Sequence, residues 1–248
     1  TDTFNTAVGH NAGSSVTTAT HNTLIGGLAG DALTTGASNV AVGYNALSTD
    51  DVGQHNVAVG RDALATQNIA TAANTYNTAV GSQAGTAVTT GTLNTLVGGI
   101  AGDALTTGQQ NVAMGYGALS ADDVGSHSVA VGVNALLSQN FATGTNSYNT
   151  AVGSGAGSAV TTGIQNTFIG GGAGDAVTDA DMNIAVGYLA LSADTYGSKS
   201  VAIGKEALAT QNFTTATDTF NTAVGHNAGS SVTTGTVNTL IGGLAGDA

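Results

Sequence analysis

The 248-residue chain has no cysteine, no proline and no tryptophan, and its only cationic side chains are Arg61, Lys199 and Lys205. Without cysteine there is no thiol nucleophile, no disulfide and no thiolate metal site. That absence does not identify a compartment, because extracellular proteins can hold together without disulfides. Fifteen acidic residues against three basic ones give a net charge of −12. No basic patch is available to meet phosphates, which argues against nucleic-acid binding. No run of about 18 apolar residues occurs, so no membrane-spanning helix is expected. The opening Thr1-Asp2-Thr3-Phe4 carries neither an initiator methionine nor a signal-peptide pattern.

Glycine is plentiful, with 38 residues, yet it lacks the Gly-X-Y period of collagen. A 41% hydrophobic content with so few charges does not suit a self-repelling disordered chain. The glycines belong to a repeat. A pentad of Asn or Ser, a β-branched residue, usually Ala, then Val, Ile or Met, then Gly begins at positions 5, 22, 39, 56, 77, 94, 111, 128, 149, 166, 183, 200, 221 and 238. The spacings run 17, 17, 17, 21 and recur, giving a 72-residue super-repeat that begins near 5, 77, 149 and 221. Residues 1–32 and 217–248 differ only at Ala19/Gly235 and His21/Val237. No linker interrupts the pattern, so residues 1–248 are expected to form one repetitive segment of a longer fibre.

Each pentad is too short for a helix and rich in β-branched residues, which predicts a strand. Ala follows three residues after each pentad Gly, and the next residue alternates Gly, Gly, Leu, Leu, as in Gly13, Gly30, Leu47 and Leu64. A further Gly ten residues on, as in Gly36, Gly53 and Gly91, is expected to supply positive φ at a corner. Strand, corner, short second strand and corner make one coil of an all-β parallel β-solenoid (β-roll) of about 14 coils. Coils stacked at about 4.8 Å give a rod roughly 65 Å long. The opening Asn residues are expected to form a ladder of side-chain amide on side-chain amide, and the lack of proline fits an uninterrupted ladder.

Alternation places Val40 and Val42 on one side of their strand and Ala41 on the other. The larger column, Val8, Ile25, Val42, Val59, Val80, Val97, Met114 and Val131, is expected to fill the coil. The middle column, with Ala7, Leu24, Ala41, Leu96, Phe168 and Leu240, is then expected on the outside, where an apolar face needs a cover. Another copy of the chain is the simplest cover, which predicts an obligate homo-oligomer.

The pentads Ser128–Gly132 (SVAVG) and Ser200–Gly204 (SVAIG) resemble the head repeat of YadA-like trimeric autotransporter adhesins. Asn39–Leu47 (NVAVGYNAL) and Asn77–Gly91 are similar to repeats of bacteriophage tail fibres and large bacterial surface proteins. The resemblance implies a left-handed β-roll and a homotrimer around a fibre axis. It departs from the adhesin heads in coil length, since those repeat at about 14 residues.

Candidate chemistry is sparse. The 21-residue unit carries four extra residues after Thr66-Gln67-Asn68, Ser138-Gln139-Asn140 and Thr210-Gln211-Asn212, followed by Ile69, Phe141 or Phe213 and later by Tyr76, Tyr148 or Phe220. These aromatics either plug a wider corner or contact a receptor or glycan. Asp31, Asp103, Asp175 and Asp247 share one register and Asp50-Asp51, Asp122-Asp123 and Asp194-Thr195 another, expected as exposed solubilising turns without a calcium-loop spacing. His10, His21, His55, His127 and His226 fall at differing places in the coil and show no ligand spacing. Gly-Gly at 26–27, 98–99, 170–172 and 242–243 lacks the Lys-Ser/Thr of a phosphate loop. Thr-Thr pairs such as Thr17-Thr18, Thr34-Thr35, Thr89-Thr90 and Thr106-Thr107 raise ice binding as a lesser alternative.

The sequence thus predicts a non-enzymatic segment of a trimeric extracellular fibre at a cell or virion surface, of adhesin or tail-fibre type. It is expected to use no cofactor or metal and to lack membrane insertion. The main alternative is a self-assembling extracellular filament or matrix protein with no receptor role.

Overall fold

The computed structural model describes Thr3–Asp247. It is an all-β solenoid without helix, built on a 14-stranded parallel sheet. The strands are Thr6–Val8, Thr23–Ile25, Val40–Val42, Val57–Val59, Thr78–Val80, Thr95–Val97, Val112–Met114, Val129–Val131, Thr150–Val152, Thr167–Ile169, Ile184–Val186, Val201–Ile203, Thr222–Val224 and Thr239–Ile241. They are taken below as coils 1 to 14. Sequence order is spatial order, and every strand meets the next at the same place in the pentad, as Ala41 meets Ala58 and Leu96 meets Ala113.

The interior column is the reverse of the one expected. Leu24, Ala41, Leu96 and Phe168 are fully buried inside their own coils. Ala7 and Leu240 hold the same place in the first and last coils, where Ala7 is exposed and Leu240 packs partly buried against the core. The column assigned to the core faces outward: Val8 is 58% exposed and Met114 42%, Ile25 and Val80 are also exposed, and Val42, Val59, Val97 and Val131 are half-buried.

The opening Asn sets this phase. Asn39 lies two residues before Ala41, hence on the same side of the strand. It points inward, donating through Nδ2 to the Gly53 carbonyl at 2.9 Å and accepting through Oδ1 from the Asn56 N–H at 2.9 Å. The same pair of bonds recurs at Asn22, Asn94 and Asn166. The asparagine ladder therefore links side chain to backbone across coils; among the described residues the expected contact of one ladder amide on another occurs between Asn238 and Asn221 alone. At Ser128 and Ser200 the ladder changes chemistry, and hydroxyl pairs with Ser147 and Thr219, each at 2.6 Å, take its place.

Interior volume is shared between the strand and the following corner. Ala41 and Ala58 face Leu47 and Leu64, whereas Leu24 sits where the corners carry Gly13 and Gly30. A Cβ at either glycine would lie 2.7 Å from a Leu24 methyl, so one leucine fills space left by two coils. The corner backbone is left-handed with either residue: φ is 55° at Gly30 and 51° at Leu47. Leucine tolerates this uncommon conformation because its side chain is buried there, a gain of about 1.5–3 kcal/mol.

The glycines ten residues after the pentad do not supply positive φ, as the sequence had suggested. They are places of close approach: a Cβ on Gly36 would strike the Gly53 carbonyl. The expected second strand in every coil is also absent from most of them. Among the described residues, paired segments appear only between Gly125–Ser126 and Thr145–Asn146 and between Gly197–Ser198 and Thr217–Asp218, with a single bridge, Gln54 to Asn74, at the matching place. Elsewhere threonine hydroxyls bind the carbonyls of the next coil, as Thr17 to Thr34 at 2.9 Å and Thr106 to Asp123 at 2.9 Å.

Candidate functional site

Seven residues after each pentad Gly an inward position runs Val16, Leu33, Asp50, Gln67, and then Val88, Leu105, Asp122, Gln139. Two apolar coils thus alternate with two polar ones inside the rod. Asp50, Asp122 and Asp194 are fully buried, not exposed turns. Asp50 accepts the Gly53 N–H at 2.9 Å and the Gln67 amide at 2.6 Å; Gln67 then accepts from Asn77 at 2.8 Å. Gln139 joins Asp122 to Asn149, and Gln211 joins Asp194 to Asn221, in the same way. The pairing of these glutamines with the aspartates is hidden when the acidic residues are aligned only with each other. Their shared register with Val16 and Leu33 is the signal that would have revealed them.

Burial pushes the Asp50 carboxyl above the ordinary value of 3.8, against the lowering effect of the Gly53 and Gln67 donors. Burial raises Asp122 likewise, against Gln139 and Gly125. The folded chain therefore holds these protons more tightly than the unfolded chain. Their contribution to stability is full below 3.8 and is lost as pH rises through the folded values. The thermal midpoint, followed by circular dichroism, is expected to rise as pH is lowered from about 7 towards about 4. A midpoint that falls over that interval would show that the buried carboxyls are stabilised as anions.

The other acidic register is partly covered. Asp31, Asp103 and Asp175 are half-buried, each with one oxygen shielded from solvent and without a partner among the described residues, and burial raises Asp103 and Asp175. Only Asp247, in the last coil, is exposed. Among the described residues no group of three or more metal-ligating side chains converges, and no pocket opens.

The histidines occupy two places in the coil. His21, His55 and His127 immediately precede a pentad, whereas His10 and His226 immediately follow a pentad Gly. In the first column rings meet between coils: Phe4 stacks on His21 at 5.3 Å, His55 meets Tyr76 edge to face at 5.1 Å, and His127 meets Tyr148 tilted at 5.1 Å. Lys199 lies 5.2 Å above Phe220 and pairs with Asp218. The two large residues of the 21-residue coil thus part company. Ile69, Phe141 and Phe213 are buried and plug the wider corner, whereas Tyr76, Tyr148 and Phe220 stand about half exposed. On the opposite flank Tyr44, Tyr116 and Tyr188 lie over Gly27, Gly99 and Gly171, and stand more than half exposed.

No protein-family model, no curated protein and no solved structure matches this chain. The repeated geometry must be interpreted from its own surfaces. The most regular of them is the outward side of the sheet, where each strand presents one Thr, Val or Ile and one Val, Ile or Met. These two columns carry no charge along all 14 strands. The three cations lie beside them, each paired with a carboxylate: Arg61 with Asp62, Lys199 with Asp218 and Lys205 with Glu206.

Proposed function

We propose that this chain is a non-enzymatic structural segment of an extracellular fibre, of adhesin or tail-fibre type, that carries an attachment surface away from a cell or virion. The carrying observation is the 14-stranded ladder, which keeps one register through 17- and 21-residue coils alike. Such a stack transmits load along the rod, because neighbouring coils are bonded through their strands and, in most coils, through the opening Asn and corner hydroxyls. The net charge of −12 keeps a long rod soluble and disfavours contact with anionic surfaces.

Association of three copies, implied by the resemblance, belongs to the same proposal, but its physical basis changes. The Ala, Leu and Phe column once assigned to a partner is enclosed by the single chain, so a partner is not needed to complete the core. Association would have to use the exterior. Contact with a host receptor or glycan would fall on Tyr76, Tyr148 and Phe220, which recur every four coils and could act multivalently.

Cells displaying the segment on an inert stalk are expected to attach to surfaces that stalk-only cells do not hold. Equal attachment by both would overturn the attachment role and favour a filament or matrix protein. Light scattering checks association: a trimer elutes at three times 23.8 kDa, and a stable 23.8 kDa species sinks the homotrimer.

A further inference from the structure

We propose that the outward face of the 14-stranded sheet binds the surface of ice. This goes beyond the fibre proposal by naming a surface that the rod would hold, and it needs only that this face be free.

The face is a two-dimensional array. One column reads Thr78, Thr95, Val112, Val129, Thr150, Thr167 in its middle stretch, and the other reads Val80, Val97, Met114, Val131, Val152, Ile169. Coils repeat at about 4.8 Å and the two columns stand about 7 Å apart. The coil repeat is close to the oxygen repeat along the a axis of hexagonal ice. Side-chain ladders are one device that holds a long sheet flat, and the Asn ladder runs directly beneath this one.

Chemistry and area both favour a water lattice over another protein. Methyl groups border water without capturing it, whereas threonine hydroxyls can donate to and accept from it. The outward hydroxyls of Thr78, Thr95, Thr150 and Thr167 bond to no group of the chain among the described residues. The corner threonines that first suggested ice binding are different: Thr34, Thr89 and Thr106 donate to carbonyls of the next coil. The two columns also lack the charged groups whose hydration would disrupt an ordered water layer. A strip of this length and width offers roughly 400–600 Å², less than the ~800 Å² per partner of a standard protein interface. A neutral, repeating strip of that size suits a neutral repeating surface.

The test is thermal hysteresis and ice-crystal shaping with the purified full chain, alongside its scattering mass. Wild type is expected to shape crystals and depress their growth temperature. Thr95→Lys with Thr167→Lys is expected to abolish both effects while the circular dichroism melt stays unchanged. Thr107→Lys, on an exposed corner away from the sheet, is expected to retain them. Absence of hysteresis in a monomeric wild type would overturn the proposal. So would an inactive oligomer, whose face is then taken by a second copy, or equal loss in Thr107→Lys. Hysteresis without attachment by displaying cells would leave ice binding standing and defeat the fibre proposal alone.

Discussion

Gly98→Ala is expected to divide the rod into two independently melting halves. Gly98 has φ 138°, and an added Cβ would collide with the backbone of Gly115 in the next coil, 2.6 Å from its carbonyl carbon. The substituted chain must relieve both an unfavourable dihedral and a backbone clash, each worth about 1–3 kcal/mol. In a stack where coils touch only their neighbours, a loss of that size at one junction weakens the coupling there and leaves the others intact. Denaturant unfolding should change from one transition to two, with hydrogen exchange fastest around residues 98–115. Gly99→Ala is the matched control. Its Cβ would rest 3.5 Å from the Tyr116 ring, an ordinary contact, and Gly99 has no positive φ. A single unchanged transition in Gly98→Ala would show that the coils yield more readily than their spacing implies.

Phe168→Ala is expected to cost about 3–5 kcal/mol, measured as a lowered denaturation midpoint. Phe168 is fully buried, and its ring occupies space left by Gly157 and Gly174 in two successive coils. Its volume is balanced within its own coil as well. Where the other super-repeats pair Leu24 with Leu33 and Leu96 with Leu105, this one pairs Phe168 with Val177. Phe168→Leu alone should therefore leave a gap, and adding Val177→Leu should close it and recover most of the loss. Failure of the double variant to recover would show that the two positions do not share one cavity.

These two variants also mark what could and could not be read from the sequence. Period, coil number and parallel stacking followed from spacing alone, because a pentad with Gly at a fixed register can repeat in few other ways. The facing of the strand did not follow. Valine and methionine are larger and more hydrophobic than alanine, so size placed them inside; the Asn that opens most pentads decides otherwise, since its amide is bonded inside the rod to backbone of its own coil and of the next. The compensation between Leu24 and Gly30, or Ala41 and Leu47, was visible in the alternation of corner residues but gains meaning only once the strand is phased. The buried Asp50–Gln67 pair escaped because its members are 17 residues apart and look like ordinary turn residues. The outward threonines were overshadowed by the Thr-Thr pairs, in which Thr17, Thr34, Thr89 and Thr106 give their hydroxyls to carbonyls of the next coil.

The sharing of interior volume among four successive coils has a genetic consequence. Removing a single 17-residue coil would set a leucine strand against the wrong corner, or leave Asp50 without Gln67. Adding or removing 72 residues would leave every such partnership intact. Unequal recombination within the gene could therefore lengthen or shorten the rod only in steps of four coils, about 19 Å each at the strand spacing. Natural variants of this chain are expected to differ in length by whole multiples of that step.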